Sequence, residues 1–174
     1  MPPPVTGKNY FALFQMAPIF DVDLDQLAVR FRTLQLEFHP DRFTDRPANE
    51  RKLAAALSAD INAGFGVLSD PVMRAGYLLE NMGQDLSSYE RAPMDTAFMM
   101  QQIELREQLA ELNTGDNAAR AALCDETAVL FSAEAQKFSD AIDEENTADA
   151  GIRWVRMQYL SKLQREISQT VGIN

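Results

Sequence analysis

Cysteine and histidine are almost missing from this chain: Cys124 and His39 are the only ones. A single cysteine excludes an internal disulfide framework and any cysteine-rich zinc site, and one imidazole adds little from which to build a metal centre. That usage predicts a reducing compartment. Long apolar runs are missing too. No stretch approaches the roughly twenty residues that cross a bilayer, and the opening MPPPVTGKNYF has neither the basic nor the apolar region of a secretory signal. A cytoplasmic protein with no membrane partner is expected. Positive charge is in short supply, 16 Lys+Arg against 26 Asp+Glu for a net charge of −10, which argues against a nucleic-acid partner. The shortage is uneven: Met1 to Met82 carries 8 basic and 10 acidic residues, and Gly83 to Asn174 carries 8 and 16.

Alternation of apolar and polar residues at period two is also absent over any useful length, whereas period 3.6 recurs almost everywhere. The 174 residues, 46% of them hydrophobic, therefore predict an all-α protein with real cores. A short helix is expected over Asn9 to Met16. Leu24, Leu27, Phe31, Leu34 and Phe38 then form one seam, and Leu53, Leu57, Ile61, Phe65 and Leu68 form a matching one, so the two helices should pair as an antiparallel hairpin. Asp70 and Pro71 open a short helix that Gly83 stops in a left-handed turn. The polar stretch QDLSSYERAP marks a boundary, giving domains over 1–83 and 94–174 with a linker over 84–93. Three longer helices, Asp95 to Asn113, Ala118 to Ile142 and Ala148 to Val171, suit a three-helix bundle. In it Leu123, Leu130, Phe131, Phe138 and Ile142 face Ile152, Tyr159, Leu163, Ile167 and Val171.

Two stretches stand out from this frame. In QLEFHPDRF the helix must stop at His39, because the residue before a proline is driven out of helical geometry. Asp41 is then displayed at the bend between two paired helices, either as an ordinary helix end with a turn aspartate or as a carboxylate offered to a partner. The other is DTAFMMQQIELREQL. At 100° per residue, Phe98, Leu105, Leu109 and Leu112 make a complete core stripe, while Met99, Met100 and Ile103 centre about 150° away among Glu104, Arg106 and Glu107. A second apolar surface with methionines suits an adaptable protein interface, the alternative being that it packs on the N-terminal domain or in a wider bundle contact. Cys124, Trp154 and the serines near Tyr89 have no neighbours in sequence that would make a nucleophile or phosphate loop, so no active site and no enzymatic activity is expected.

The stretches YFALF, LAVRFRTLQLEFHPDRF and INAGFGVLSDPVMRAGYLL resemble the J domain of DnaJ-type co-chaperones. Together with DTAFMMQQIELREQL, RAGYLLENMG and the late YLSKL, the chain resembles the HscB type of J protein over nearly its whole length. The resemblance implies an N-terminal J domain, a helical hairpin plus short helices, followed by a C-terminal three-helix bundle. It implies that His39, Pro40 and Asp41, with Arg30, Arg32 and Arg42, engage an HscA-type, DnaK-class chaperone and stimulate its ATPase. It further implies that Met99, Met100, Ile103, Glu104, Glu107 and Tyr159 bind an IscU-type iron–sulfur scaffold. No resident cofactor or metal is implied, since the cysteine module of some animal members is missing here. One departure is that the helix before the tripeptide is less basic than in most J domains. A general J protein for unfolded polypeptides is the alternative, and the Met-rich surface also allows weak self-association.

Overall fold

The computed structural model describes residues 9–112 and 115–169, and it is all-α. Its contacts divide the chain into two compact units, one up to Asn81 and one from Met82.

In the first unit, α1 (Tyr10–Leu13) is capped by Asn9, whose side chain accepts from the Ala12 amide. It is shorter than its pattern predicts because Gln15 turns left-handed (φ 51°) and the Met16 amide bonds back to the Phe11 carbonyl, closing the helix. Asp23 caps α2 (Leu24–Phe38) by accepting from Gln26. That helix ends at Phe38, where His39 is extended (φ −62°, ψ 131°) ahead of Pro40. A 3₁₀ turn, Pro40–Phe43, leads to α3 (Ala48–Ser69), which returns antiparallel to α2. Phe31 stacks on Phe65 with ring centroids 4.0 Å apart, and Gln35 donates to Asn62. Asp70 caps α4 (Pro71–Asn81) through the Val72 and Met73 amides, and Gly83 follows at φ 78° as the expected left-handed stop.

Two tight contacts hold α1 and α4 to this hairpin. A Cβ on Gly64 of α3 would sit 2.8 Å from the Tyr10 ring and 2.9 Å from that of Phe14, so only glycine admits α1 at this distance. The buried Arg74 guanidinium of α4 donates to the Phe20 and Leu68 carbonyls and stacks on the Phe20 ring. Burial lowers its pKa from the ordinary arginine value, opposed by Asp21 and Asp70. Two seam residues depart from expectation: Leu24, at the first position of α2, is 52% exposed, and Leu53 is 71% exposed while Ala54 is buried. Leu53 lies on the side of α3 that α1 covers at Gly64, but about 16 Å away along the helix, beyond the reach of the four-residue α1.

The second unit holds α5 (Leu86–Arg91), α6 (Thr96–Glu111), α7 (Asn117–Asp143) and α8 (Thr147–Gln169). Asp85, Asp95 and Asp116 cap the first three through their carboxylates. Phe98, Leu105, Leu123, Leu160, Leu163 and Ile167 form the core, with Leu109, Leu112, Leu130 and Phe131 at its margin. The stretch read as a linker is partly helical: α5 belongs to this unit and lays Tyr89 against Gly151 of α8. The buried face of α8 also differs from the expected one. Trp154, Met157 and Leu160 are buried, whereas Ile152 and Tyr159 are about half exposed. Neighbouring residues on a helix point about 100° apart, so choosing Leu160 for the core carries Tyr159 to its edge. Asn113 and Val171 lie outside the described residues.

Candidate interaction surfaces

The tripeptide at the hairpin tip is braced by its own atoms. His39 Nδ1 accepts from the Asp41 amide at 3.3 Å, so the ring caps the 3₁₀ turn. The Asp41 carboxylate stands 3.6 Å from the same nitrogen, and its side chain is 85% exposed. Thr44 donates to the Asp41 carbonyl, and the Arg42 amide donates to that of His39. These bonds hold the backbone of the turn that presents the exposed Asp41 carboxylate.

The three arginines expected beside it are placed differently from one another. The Arg30 guanidinium donates to the Phe14 and Gln15 carbonyls at the end of α1, satisfying acceptors that the short helix leaves open. Arg42 donates to the Leu36 carbonyl at 2.8 Å and so caps α2. Arg32 alone of the three stands exposed without an ion pair or hydrogen bond among the described residues. The spacing of basic residues in sequence carries no signal of this division.

On α6 the core stripe turns Phe98 and Leu105 inward and leaves Met99, Met100 and Ile103 half or more exposed. Glu104 and Glu107 are exposed beside them, whereas Arg106 is paired with Glu166 of α8 at 2.8 Å. Tyr159 of α8, 45% exposed, sets its ring edge-on to Phe98 with centroids 6.4 Å apart. The structure thus brings Tyr159 to α6 at the buried neighbour of Met99. At the start of α6, Arg156 bonds to Asp95 and lies 5.1 Å over the Phe98 ring. The Phe98 amide, bonded to the Asp95 carboxylate, holds that carboxyl below the ordinary aspartate pKa; its partial desolvation opposes this and Arg156 reinforces it.

Sequence reasoning missed the charged layer behind this surface. Glu134 of α7, nearly buried, bonds to Lys137 and Arg153 and lies 3.5 Å from Arg156, and Arg153 also grips Asp149. Burial alone would lower the pKa of Arg153, but its bonds to Asp149 and Glu134 raise it. The pairs three and four residues apart were legible as helical neighbours, but those between α7 and α8 were not. Of these groups Glu134, Lys137 and Arg156 line a cleft of about 290 Å³ with Asp95, Phe98 and Gln101, and their charges answer one another within it. Among the described residues no three or more His, Cys, Asp or Glu side chains are placed to hold a metal ion, and no helix is long and apolar enough to cross a membrane.

A tripeptide-tipped helical hairpin followed by a separate helical unit defines a J-type co-chaperone. Residues 94–168 match the family described as the HSCB C-terminal oligomerisation domain. A co-chaperone protein HscB homolog of Neisseria meningitidis serogroup A is 37% identical over 173 residues, covering 94% of this chain and 99% of that one. Among solved structures, the chaperone HscB from Vibrio cholerae superposes with a TM-score of 0.83 at 29% identity, covering 93% of this chain and 96% of that one. Human co-chaperone protein HscB superposes with a TM-score of 0.89 at 25% identity, covering 97% and 85%. The chain belongs to the HscB co-chaperone family.

Proposed function

We propose that this protein acts in iron–sulfur cluster assembly in the cytoplasm, joining two partners through two separate surfaces. His39, Pro40 and Asp41 engage an HscA-type, DnaK-class chaperone and stimulate its ATP hydrolysis, with Arg32 the basic neighbour left free to take part. Met99, Met100, Ile103, Glu104, Glu107 and Tyr159 hold an IscU-type scaffold protein as client. The observation that carries this reading is the exposure of an apolar stripe on α6 that its own bundle leaves uncovered, in a different unit from the tripeptide. Binding both partners raises their effective concentration, and the hydrolysis triggered traps the client in the tight-binding state of the chaperone. Any cluster is cargo of the scaffold.

Steady-state ATP hydrolysis by a purified HscA-type chaperone tests this, with the protein alone and with scaffold added. Stimulation should grow with scaffold and vanish in Asp41→Asn, while Met100→Ala with Ile103→Ala should lose the scaffold-dependent part alone. Stimulation indifferent to scaffold, joined to suppressed aggregation of unrelated proteins, would instead favour a general J protein for unfolded clients.

A second occupant of the α6 stripe is another copy of the chain, a reading favoured by the match to a family described as an oligomerisation domain. Sedimentation velocity distinguishes it: concentration-dependent association that Met100→Ala abolishes would assign the stripe to self-contact.

A further inference from the structure

Methionine is divided unequally between the inside and the outside of this protein. Among the described residues Met157 is fully buried in α8, Met94 packs against the core of the second unit, and Met16 and Met73 are partly buried. Met82 is 41%, Met99 50% and Met100 66% exposed. On α6, Met99 and Met100 point about 40° and 60° to either side of Ile103, so both thioethers stand on the apolar stripe that the bundle leaves uncovered.

Packing alone does not call for sulfur at these two positions. Leucine has a similar volume and exchanges with methionine at little cost. What the thioether adds is adaptability and an oxidisable lone pair. When hydrogen peroxide reaches it, the sulfur attacks one peroxide oxygen, the O–O bond breaks as the S–O bond forms, and the second oxygen leaves as water after taking the proton of the first. Sulfur loses two electrons and the peroxide gains them. The step needs only that the sulfur be reached from solvent, which holds for Met99 and Met100 and fails for Met157.

The product is a polar sulfoxide whose oxygen requires a hydrogen-bond donor when it is buried. The surroundings on α6 offer acceptors instead. Glu104 stands one turn beyond Met100 and Glu107 one turn beyond Ile103, both exposed, while the neighbouring cation Arg106 is committed to Glu166 at 2.8 Å. Water supplies the donor in the free protein, and an apolar partner seated on the stripe removes that water. Oxidation therefore opposes docking far more than it opposes folding.

We infer that Met99 and Met100 are a reversible oxidation site that regulates the client surface: as thioethers they hold the scaffold, and as sulfoxides they release it. The inference rests on the reading of α6 proposed above. Reversal takes a dithiol and methionine sulfoxide reductases for both epimers, which return the oxygen as water and leave a disulfide on the reductant.

The test treats the full-length protein with hydrogen peroxide, removes the oxidant, and titrates untreated IscU-type scaffold calorimetrically. Peptide mass spectrometry should find Met82, Met99 and Met100 oxidised well before Met94 and Met157, and saturating scaffold present during treatment should slow Met99 and Met100 but not Met82. The treated protein should bind scaffold about tenfold or more weakly, with its melting temperature unchanged, and reductase treatment should restore the affinity. Met82→Leu should leave untreated binding unchanged and remain as sensitive to peroxide. In Met99→Leu with Met100→Leu, affinity before and after treatment should agree within about twofold, whatever its starting value. Unchanged binding after Met99 and Met100 are oxidised, in a protein whose untreated binding is lost in Met100→Ala with Ile103→Ala, overturns the regulation and leaves the docking surface standing. Absence of scaffold binding before any treatment overturns both. A loss that persists in the double leucine variant, or that appears only with oxidised Met157 and a lowered melting temperature, overturns the inference by placing the lesion elsewhere.

Discussion

The ring of Tyr89 lies directly on the backbone of Gly151: a Cβ at that glycine would stand 2.3 Å from ring Cε1. The Tyr89 hydroxyl lies 2.8 Å from Gln84 Oε1 and 3.1 Å from the Thr147 carbonyl, two acceptors for its one proton, so one side chain docks α5 on the start of α8 by packing and by polar contact. Gly151→Ala should therefore lower stability by about 1–3 kcal/mol through overpacking, read by chemical denaturation. Tyr89→Leu should recover part of that loss in the double variant. Equal, additive losses would mean that the two residues are not coupled.

Gln102 occupies a buried position on the inward side of α6 between Phe98 and Leu105, and neither atom of its amide has a hydrogen-bond partner among the described residues. Desolvating an unpaired amide opposes folding, so Gln102→Leu should raise stability by about 1–2 kcal/mol. A melting temperature lowered by the substitution would show that the amide is satisfied in solution.

Asp95 links the α6 cap to the pH dependence of stability. Its folded pKa is depressed by the Phe98 amide and Arg156, so its contribution is fully present above the ordinary aspartate value of about 3.9 and is lost as pH falls through the lower folded value. Asp95→Asn keeps the capping oxygen and removes the charge. Unfolding curves should show the wild type ahead of Asp95→Asn near neutrality, with the gap narrowing below about pH 4. A gap constant down to that range would rule out the ionised carboxylate as its source.

Arg30 and Arg32 should separate structure from recognition. The bonds from Arg30 to the Phe14 and Gln15 carbonyls tie α1 to α2, and Arg30→Ala should cost about 1–3 kcal/mol in unfolding free energy. Arg32→Ala, at an exposed site, should stay within about 0.5 kcal/mol. The reverse order would mean that Arg30 faces a partner.

What the sequence determined by itself was everything set within a turn or two of helix. Asp23, Asp70, Asp95 and Asp116 cap helices where an aspartate precedes a periodic run, because a cap bonds only two or three residues ahead. His39 ends α2 because Pro40 follows it, and the opposition of Phe98 to Met99, Met100 and Ile103 follows from 100° per residue. Tertiary structure decided the rest. Arg30 reaches 16 residues back to α1, and Arg106 reaches 60 ahead to Glu166, so which arginine faces solvent depends on acceptors that chain folding brings near. The choice of Leu160 over Tyr159 for the core turned on which face of α8 its neighbours cover, and that of Ala54 over Leu53 on how far α1 reaches along α3. Periodicity marks an apolar face to within one residue, and one residue is a rotation of about 100°.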